Sequence, residues 1–294
     1  MKKDTIVDGC LKHWEYEDEK TLYFQNNIKN WTDTMSTDMK QIVYELLNQF
    51  DYFSHERVNN IMVHLHEKVL RLGNITDENS VYSVLQSQRR TMNSSFEYCL
   101  EYKRLNRISK YIVYPNISEI SNESLKYIDN FIFIDDYCGS GKTFTDYIDS
   151  VKHILSEKRI IYVIVYIMQD AINRINNYIE KTGIDIKICY YCKGNKAFDL
   201  SDLRVKKSIF IKESKNKKIG NNYIMGLWDT QSLTSFYNDT PNNTLGIFWY
   251  DTSFNKSIFP RNKDNRPSWQ NMKKNRESRR LANYIVKKRE HKNE

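Results

Sequence analysis

The chain has 294 residues, of which 40% are hydrophobic and 28% are charged. These values are typical of a folded globular protein with one large domain or a domain with an appendage, and they exclude a largely disordered chain. No apolar run is long enough to span a membrane, and no apolar segment follows the lysines near the N-terminus. We therefore expect a cytoplasmic protein that makes no membrane contact.

The net charge of +8 lies in one segment. Residues 261–294 hold 12 Lys or Arg residues and 4 Asp or Glu residues, so the remainder of the chain is balanced. This composition predicts a basic C-terminal tail over residues 261–294. Such a tail can hold nucleic-acid phosphates, although a charge run is also typical of a solvated helix face.

The N-terminal residues 1–78 are predicted to form a helical region. Two apolar stripes recur at helical spacing, one from Met39 to Phe50 and one from Val58 to Leu72. Ser54 is a good N-cap for the second helix, and Gly73 is a good stop.

Residues 79–260 are predicted to form an α/β core with a parallel sheet. Strands are expected at "SVYSVL", "FIFID", "RIIYVIVYIM" and near residues 185–192, with helices over "FEYCLEYKRLN" and from about residue 143. A strand, a tight loop, a helix and a further strand form a right-handed crossover, which joins parallel strands. Cys189 and Cys192 have the spacing of half a zinc site, but no second pair completes it, so we predict buried structural thiols.

The stretch "FIFIDDYCGSGKT" combines two acids with a glycine-rich turn. Asp135 and Asp136 are expected at the carboxyl end of a parallel strand, where open α/β sheets bind ligands. A helix N-terminus after a glycine turn binds anions, and phosphate suits it best. The predicted phosphate-binding residues are Gly139, Ser140, Gly141, Lys142 and Thr143.

The two carboxylates cannot contact the same phosphate, because like charges repel. They require hydroxyl groups, a metal ion or another cation. A ribose 5-phosphate meets both demands: its phosphate lies in the turn, its ring hydroxyls donate to Asp135 and Asp136, and Mg²⁺ bridges the hydroxyls to a leaving pyrophosphate.

Two other interpretations of this stretch stay open. A nucleotide-binding P-loop needs a glycine where Asp136 stands, and a side chain there obstructs the wrap around the phosphates. The stretch is also compatible with a loop at the sheet edge that carries solvated acids.

"FIFIDDYCGSGKT" resembles the phosphoribosyl pyrophosphate motif of type I phosphoribosyltransferases: an apolar strand, two acids, three variable residues and then Thr/Ser-Gly-x-Thr. The resemblance implies a parallel-sheet core of that type with a helical N-terminal extension, an irregular C-terminal hood and the basic tail. It also implies Mg²⁺, which Asp135 and Asp136 would hold. In that family an early loop binds pyrophosphate, and Arg89 and Arg90 in "QSQRRTMNSS" are the candidates, although two exposed loop arginines are an equally plain interpretation.

The segment "TPNNTLGIFWYDTSFNKSIFPR", residues 240–261, places Asn242, Asn243 and Thr244 before an apolar run. These side chains are candidates for contact with a base or ribose, and they also suit hydrogen bonds to the backbone of an irregular loop. Together with the acidic motif, this segment resembles a phosphoribosyltransferase-like effector of bacterial conflict systems, including some retrons.

The resemblance implies an enzyme, a pentosyltransferase or nucleotide N-glycosidase, that acts as a toxin in antiphage defence on a nucleotide or phosphoribosyl pyrophosphate. Two further hypotheses are a non-catalytic sensor of such a ligand and a nucleic-acid-binding subunit. In the last case the basic tail would contact nucleic acid or a reverse transcriptase complex.

Overall fold

The computed structural model describes residues 3–14, 21–86, 94–199 and 201–261. The chain forms two compact units. The sheet unit is Ser54–Lys196, and the discontinuous unit combines Met1–Phe53 with Ala197–Glu294. The basic tail beyond residue 261 lies outside the described residues.

The described residues form both helices and strands. The helices are α1 Lys3–His13, α2 Thr21–Asp33, α3 Thr37–Leu47, α4 His55–Leu70, α5 Ser94–Leu105, α6 Asn122–Leu125, α7 Lys142–Val151, α8 Gln169–Thr182, α9 Ser201–Arg204 and α10 Lys207–Asn216. The strands are β1 Asp51–Phe53, β2 Ser80–Val84, β3 Val113–Tyr114, β4 Asn130–Cys138, β5 Arg159–Met168, β6 Ile186–Gly194 and β7 Thr234–Phe236. Short 3-10 helices lie at Lys110–Ile112, Ile117–Glu119, Asn221–Tyr223, Leu227–Asp229 and Gly246–Phe248.

The sheet unit contains a parallel sheet with the strand order β3-β2-β4-β5-β6. Most residues of β4 and nearly all of β5 are buried, as expected for central strands covered on both faces. Phe133 lies opposite Tyr162, and Asp135 lies opposite Ile164. The predicted parallel α/β core is confirmed, and its central strand is β4, which carries both acids.

Helix α7 follows β4 after a tight turn and packs on the sheet. Its apolar residues recur at helical spacing on one face, and Phe144, Tyr147, Ile148 and Val151 are buried. The helix ends at Val151, and the buried Leu155 lies beyond it. The predicted helix is thus confirmed, but it is one turn shorter than the apolar pattern.

The two predicted N-terminal stripes correspond to α3 and α4. Ser54 caps α4, since its hydroxyl oxygen accepts a hydrogen bond from the backbone N–H of Arg57 at 3.1 Å. The predicted helical region also contains one short strand, β1, which pairs in parallel with β7 from residues 234–236. The strand has three residues, and its partner is remote, so local periodicity carries no signal for it.

The compact units do not coincide with the predicted boundaries at 78/79 and 260/261. Helix α4 packs against α5, β5 and β6, which assigns it to the sheet unit. Residues 197–261 instead share one apolar core with the N-terminal helices α1 to α3. Within this core the Phe50 ring stacks on Phe259, with centroids 4.7 Å apart.

Helix length and hydropathy also bear on membranes. Among the described helices, none combines the length and the apolar character that crossing a bilayer requires.

Candidate functional site

The two aspartates, Asp135 and Asp136, lie within β4 and are partly buried. Their side chains are within hydrogen-bonding contact of each other at the end of the strand, and each also has its own internal partner. Tyr162 donates its hydroxyl hydrogen to Oδ2 of Asp135 at 3.0 Å, and Ser94 donates to Oδ1 of Asp136 at 2.8 Å. The backbone N–H of Asp136 also donates to Oδ1 of Asp135 at 3.1 Å. Neither carboxylate forms an ion pair with any residue that the structure describes.

The electrostatics of this pair favour an added cation or hydrogen-bond donor. Burial raises the pKa of Asp135 well above its usual value, and the adjacent charge of Asp136 raises it further. Burial also raises the pKa of Asp136, while hydrogen bonds, including the one from Ser94, oppose the increase. A ligand that brings hydroxyl hydrogens or positive charge would therefore stabilise both carboxylates.

The phosphate turn, residues 139–143, joins β4 to α7. Gly141 has φ +72°, and a Cβ atom there would lie 3.0 Å from the carbonyl oxygen of Ala171. Both observations favour glycine, because an L side chain would be strained and crowded. The turn therefore brings the backbone against α8.

The N-cap residue of α7, Gly141, has no side chain to cap the helix, and the N–H of Lys142 donates to Oγ of Ser140 at the long distance of 3.4 Å. Helices α3 and α4 differ, because Ser36 and Ser54 each accept a backbone N–H at their N-termini. Uncapped N–H groups with the helix dipole behind them are donors for an anion. Lys142 is exposed and forms an ion pair with Asp146 at 2.7 Å, which holds its ammonium group along the helix.

Cys138 lies at the end of β4, directly before the phosphate turn. Burial raises the pKa of this thiol to about 12, although hydrogen bonds with Tyr162 and the Gly141 backbone oppose the increase. The group stays protonated at neutral pH, and a nucleophilic thiolate is excluded there.

Two residues that the sequence did not indicate lie next to the site. Tyr162 contacts Asp135 because it lies on the neighbouring strand, two residues before the partner of Asp135 in the register. Arg174 on α8 packs its side chain beside the turn, with Cδ 3.3 Å from the Cβ position of Gly141. The register between β4 and β5 predicts the first of these contacts, whereas only the three-dimensional packing of α8 reveals the second.

The remaining predicted site residues have other placements. Arg89 and Arg90 lie outside the described residues. Asn243 Nδ2 donates to the carbonyl oxygen of Leu227 at 3.0 Å, and Thr244 Oγ1 donates to that of Thr234 at 2.7 Å. Both bonds therefore satisfy backbone carbonyl groups of the discontinuous unit.

The partly buried Asn242 accepts the backbone N–H of Leu227 at its carbonyl oxygen, at 2.8 Å. A role of residues 242–244 in base contact stays a prediction.

The burial of the two C-x-x-C cysteines agrees with their prediction as structural thiols. Cys189 is buried, and Cys192 is partly buried. Three positions apart in β6, their side chains point to opposite faces of the strand, so they do not converge on one metal ion. Within the described ranges, no group of three or more His, Cys, Asp or Glu side chains is arranged to hold a metal.

Comparison with known proteins identifies one family. The sequence model of the PRTase-CE family matches residues 28–261, which is most of the chain. Among solved structures, the xanthine-guanine-hypoxanthine phosphoribosyltransferase of Helicobacter pylori matches with a TM-score of 0.33 and 12% identity, over 53% of this chain and 96% of that one. No curated protein matches the chain.

Proposed function

The chain belongs to the PRTase-CE family, and from this premise we propose that it is a phosphoribosyltransferase-like enzyme. It would act at the anomeric carbon of a phosphoribosyl or nucleotide substrate. One observation carries the proposal: a partly buried pair of aspartates without a cationic partner among the described residues stands on the strand that leads, through a glycine turn, into the N-terminus of α7.

The phosphate turn would bind the 5-phosphate of the substrate. Gly139 and Gly141 allow close approach of the backbone, and the N–H groups at the start of α7 supply donors. Ser140 and Thr143 add hydroxyl groups, and Lys142 adds a cation at the same helix start. This arrangement favours a doubly charged phosphate over a neutral sugar.

The aspartates would bind the other end of the sugar. Each carboxylate has one internal hydroxyl donor and retains lone pairs for hydroxyl groups of the ribose. The pair also suits Mg²⁺, a hard cation that binds proteins through one or two carboxylates together with substrate phosphates. Bound to Asp135 and Asp136, Mg²⁺ would neutralise charge on a leaving pyrophosphate.

The proposed chemistry relies on positioning and charge. The bond from the anomeric carbon to the leaving group breaks, and that group departs with the bonding pair as pyrophosphate or as a base. An oxocarbenium-like centre develops on the sugar, and an acceptor donates the pair that forms the new bond. Two fixed carboxylates beneath the sugar stabilise the developing positive charge and hold the ring in place.

The biological setting is a further part of the proposal. The resemblance of the chain to conflict-system effectors supports a role as a toxin that acts in the cytoplasm in antiphage defence. In this setting Arg89 and Arg90 would bind pyrophosphate, residues 242–244 would contact the base or ribose, and the basic tail would contact nucleic acid or a reverse transcriptase complex. The sequence patterns described above are the support for these assignments.

The test is the double variant Asp135→Asn with Asp136→Asn. We expect it to abolish product formation from phosphoribosyl pyrophosphate or nucleotides, followed by mass spectrometry with Mg²⁺ present, and to abolish toxicity on expression. Asp149→Asn on the exposed face of α7 is the matched control and should act as wild type. Unchanged turnover in the double variant would overturn the proposal. Mg²⁺-dependent binding without any product would instead favour the sensor.

A further inference from the structure

Tyr162 is the buried partner of Asp135. Its side chain is 1% exposed, and its hydroxyl group donates to Oδ2 of Asp135 at 3.0 Å. Asp135 has a second internal donor, the N–H of Asp136, at Oδ1. One donor on each oxygen fixes the plane of this carboxylate while leaving lone pairs for a ligand.

The ring of Tyr162 is held in place by a packing contact. It stacks on Phe144 with centroids 4.2 Å apart and an angle of 16° between the planes. Phe144 is buried in the first turn of α7, directly after the phosphate turn. One aromatic contact therefore links the carboxylate on β4 to the helix that begins at the phosphate turn.

We propose that Tyr162 is a positioning residue that holds Asp135 at a fixed distance and orientation from the phosphate turn, so that one rigid sugar phosphate can engage both. This inference rests on the proposed function. Tyr162 does not touch the substrate. It acts through the orientation of Asp135, and the stacked ring of Phe144 fixes the tyrosine.

The substitution Tyr162→Phe tests the hydroxyl group apart from the ring, because phenylalanine preserves the stack on Phe144 and removes the donor to Asp135 together with the hydroxyl contact to Cys138. Tyr178→Phe is a matched control, since Tyr178 donates to Oδ1 of Asp149 at 2.9 Å in the same unit but away from the aspartate pair. The probes are phosphoribosyl pyrophosphate with MgCl₂, which engages both ends of the site, and inorganic phosphate, which engages only the turn. Titration calorimetry gives both dissociation constants.

We expect Tyr162→Phe to weaken binding of phosphoribosyl pyrophosphate about tenfold, as the loss of a hydrogen bond to a charged group does, and to leave phosphate binding unchanged. Tyr178→Phe should bind both probes as wild type does. The effect should also depend on Asp135. In an Asp135→Asn background, the second substitution Tyr162→Phe should add less than twofold, because the carboxylate through which it acts is gone.

Other outcomes overturn the inference in distinguishable ways. Equal binding by wild type and Tyr162→Phe rejects positioning by Tyr162 while leaving the proposed function intact. A parallel loss of both probes, or full additivity with Asp135→Asn, means that Tyr162 has only a general structural role. If wild type binds no phosphoribosyl pyrophosphate, and the Asp135→Asn with Asp136→Asn variant also keeps wild-type toxicity, the proposed function fails and this inference fails with it.

Discussion

Two glycine turns in this protein share a positive φ but differ in ψ, which is −6° at Gly141 and 155° at Gly226, and in the hydrogen bonds that surround them. Gly141 in the phosphate turn has φ +72°, and Gly226 in the discontinuous unit has φ +73°. The second of these begins the braced turn, residues 226–231. The N–H of Leu227 in the braced turn donates to the carbonyl oxygen of Asn242 at 2.8 Å, whereas the N–H of Lys142 after Gly141 has a longer bond of 3.4 Å to Oγ of Ser140 and Gly141 provides no side-chain cap.

Several hydrogen bonds from the same chain hold the braced turn in place. Asn243 donates from its side-chain amide to the carbonyl oxygen of Leu227 and to Oγ1 of Thr230, at 3.0 and 2.9 Å. Three non-glycine residues of this turn also have positive φ, namely Trp228, Asp229 and Gln231. Such conformations persist only where surrounding contacts determine them. A glycine with positive φ is therefore not a sign of a ligand site, and the satisfaction of the neighbouring N–H groups is the better criterion.

The largest effect should come from Gly226→Ala. A Cβ atom there would lie 1.9 Å from the carbonyl oxygen of Asn243, and backbone cannot yield as a flexible side chain can. We expect a loss of about 4 kcal/mol or more in the free energy of unfolding, measured by urea denaturation. Gly183→Ala is the control, because Gly183 has φ +69° with no atom within 4 Å of its Cβ position. It should cost about 1–2 kcal/mol from backbone conformation alone. Equal costs at the two positions would contradict this account of the braced turn.

Gly141→Ala should have a smaller effect on stability and a larger one on binding. The new Cβ would approach the carbonyl oxygen of Ala171 at 3.0 Å, so we expect a loss of about 2 kcal/mol from φ strain and this contact. Because the N–H donors of the turn would shift, affinity for inorganic phosphate should fall about tenfold or more in calorimetry. Gly183→Ala serves as the control here too and should bind phosphate normally. If Gly141→Ala binds phosphate as wild type does, the two turns do not differ in the way described.

Asp135→Asn should stabilise the protein. Burial and the charge of Asp136 raise the pKa of Asp135, so the folded protein keeps this proton to a higher pH than the unfolded chain does. Stability is consequently lost as the pH rises from the ordinary carboxyl range, near 4, through the folded pKa. The variant avoids that loss.

We expect Asp135→Asn to exceed wild type at pH 7 by about 1 kcal/mol, or roughly 2–4 °C in Tm, and this advantage should shrink towards pH 4. Thermal denaturation at several pH values measures it. A variant that is less stable than wild type at pH 7 would show that the carboxylate is a structural group rather than one strained for binding.

The sequence predicted the central crossover of the sheet unit because each part of it carries a local signal. The apolar run of β4, the glycines of the phosphate turn and the helical spacing after Thr143 all lie within about twenty residues. The placement of Asp135 at the carboxyl end of a parallel strand needed only that short stretch. Strand β4 nevertheless extends through both acids to Cys138, because pairing with β5 continues past the apolar residues.

The parts that the sequence did not predict depend on remote contacts. Strand β1 is defined by its pairing with β7, and the discontinuous unit is defined by a core that joins the two ends of the described chain. The role of Tyr162 depends on the register between two strands, and the proximity of Arg174 depends on how α8 packs on Gly141. Periodicity and local propensity contain none of this information.

The pairing of β1 with β7 has a consequence for synthesis on the ribosome. Asp51 and Thr234 lie 183 residues apart and are joined by a hydrogen bond from the threonine hydroxyl to the aspartate carbonyl. At bacterial or eukaryotic translation speeds, roughly 10–40 s separate the appearance of these two residues. During that interval the apolar faces of α1 to α3 lack the partners that residues 197–261 supply, and the sheet that carries the twin acids is completed within it, once residue 196 has been made. The sheet unit, which holds the candidate catalytic residues, can therefore fold before helices α1 to α3 have their packing partners.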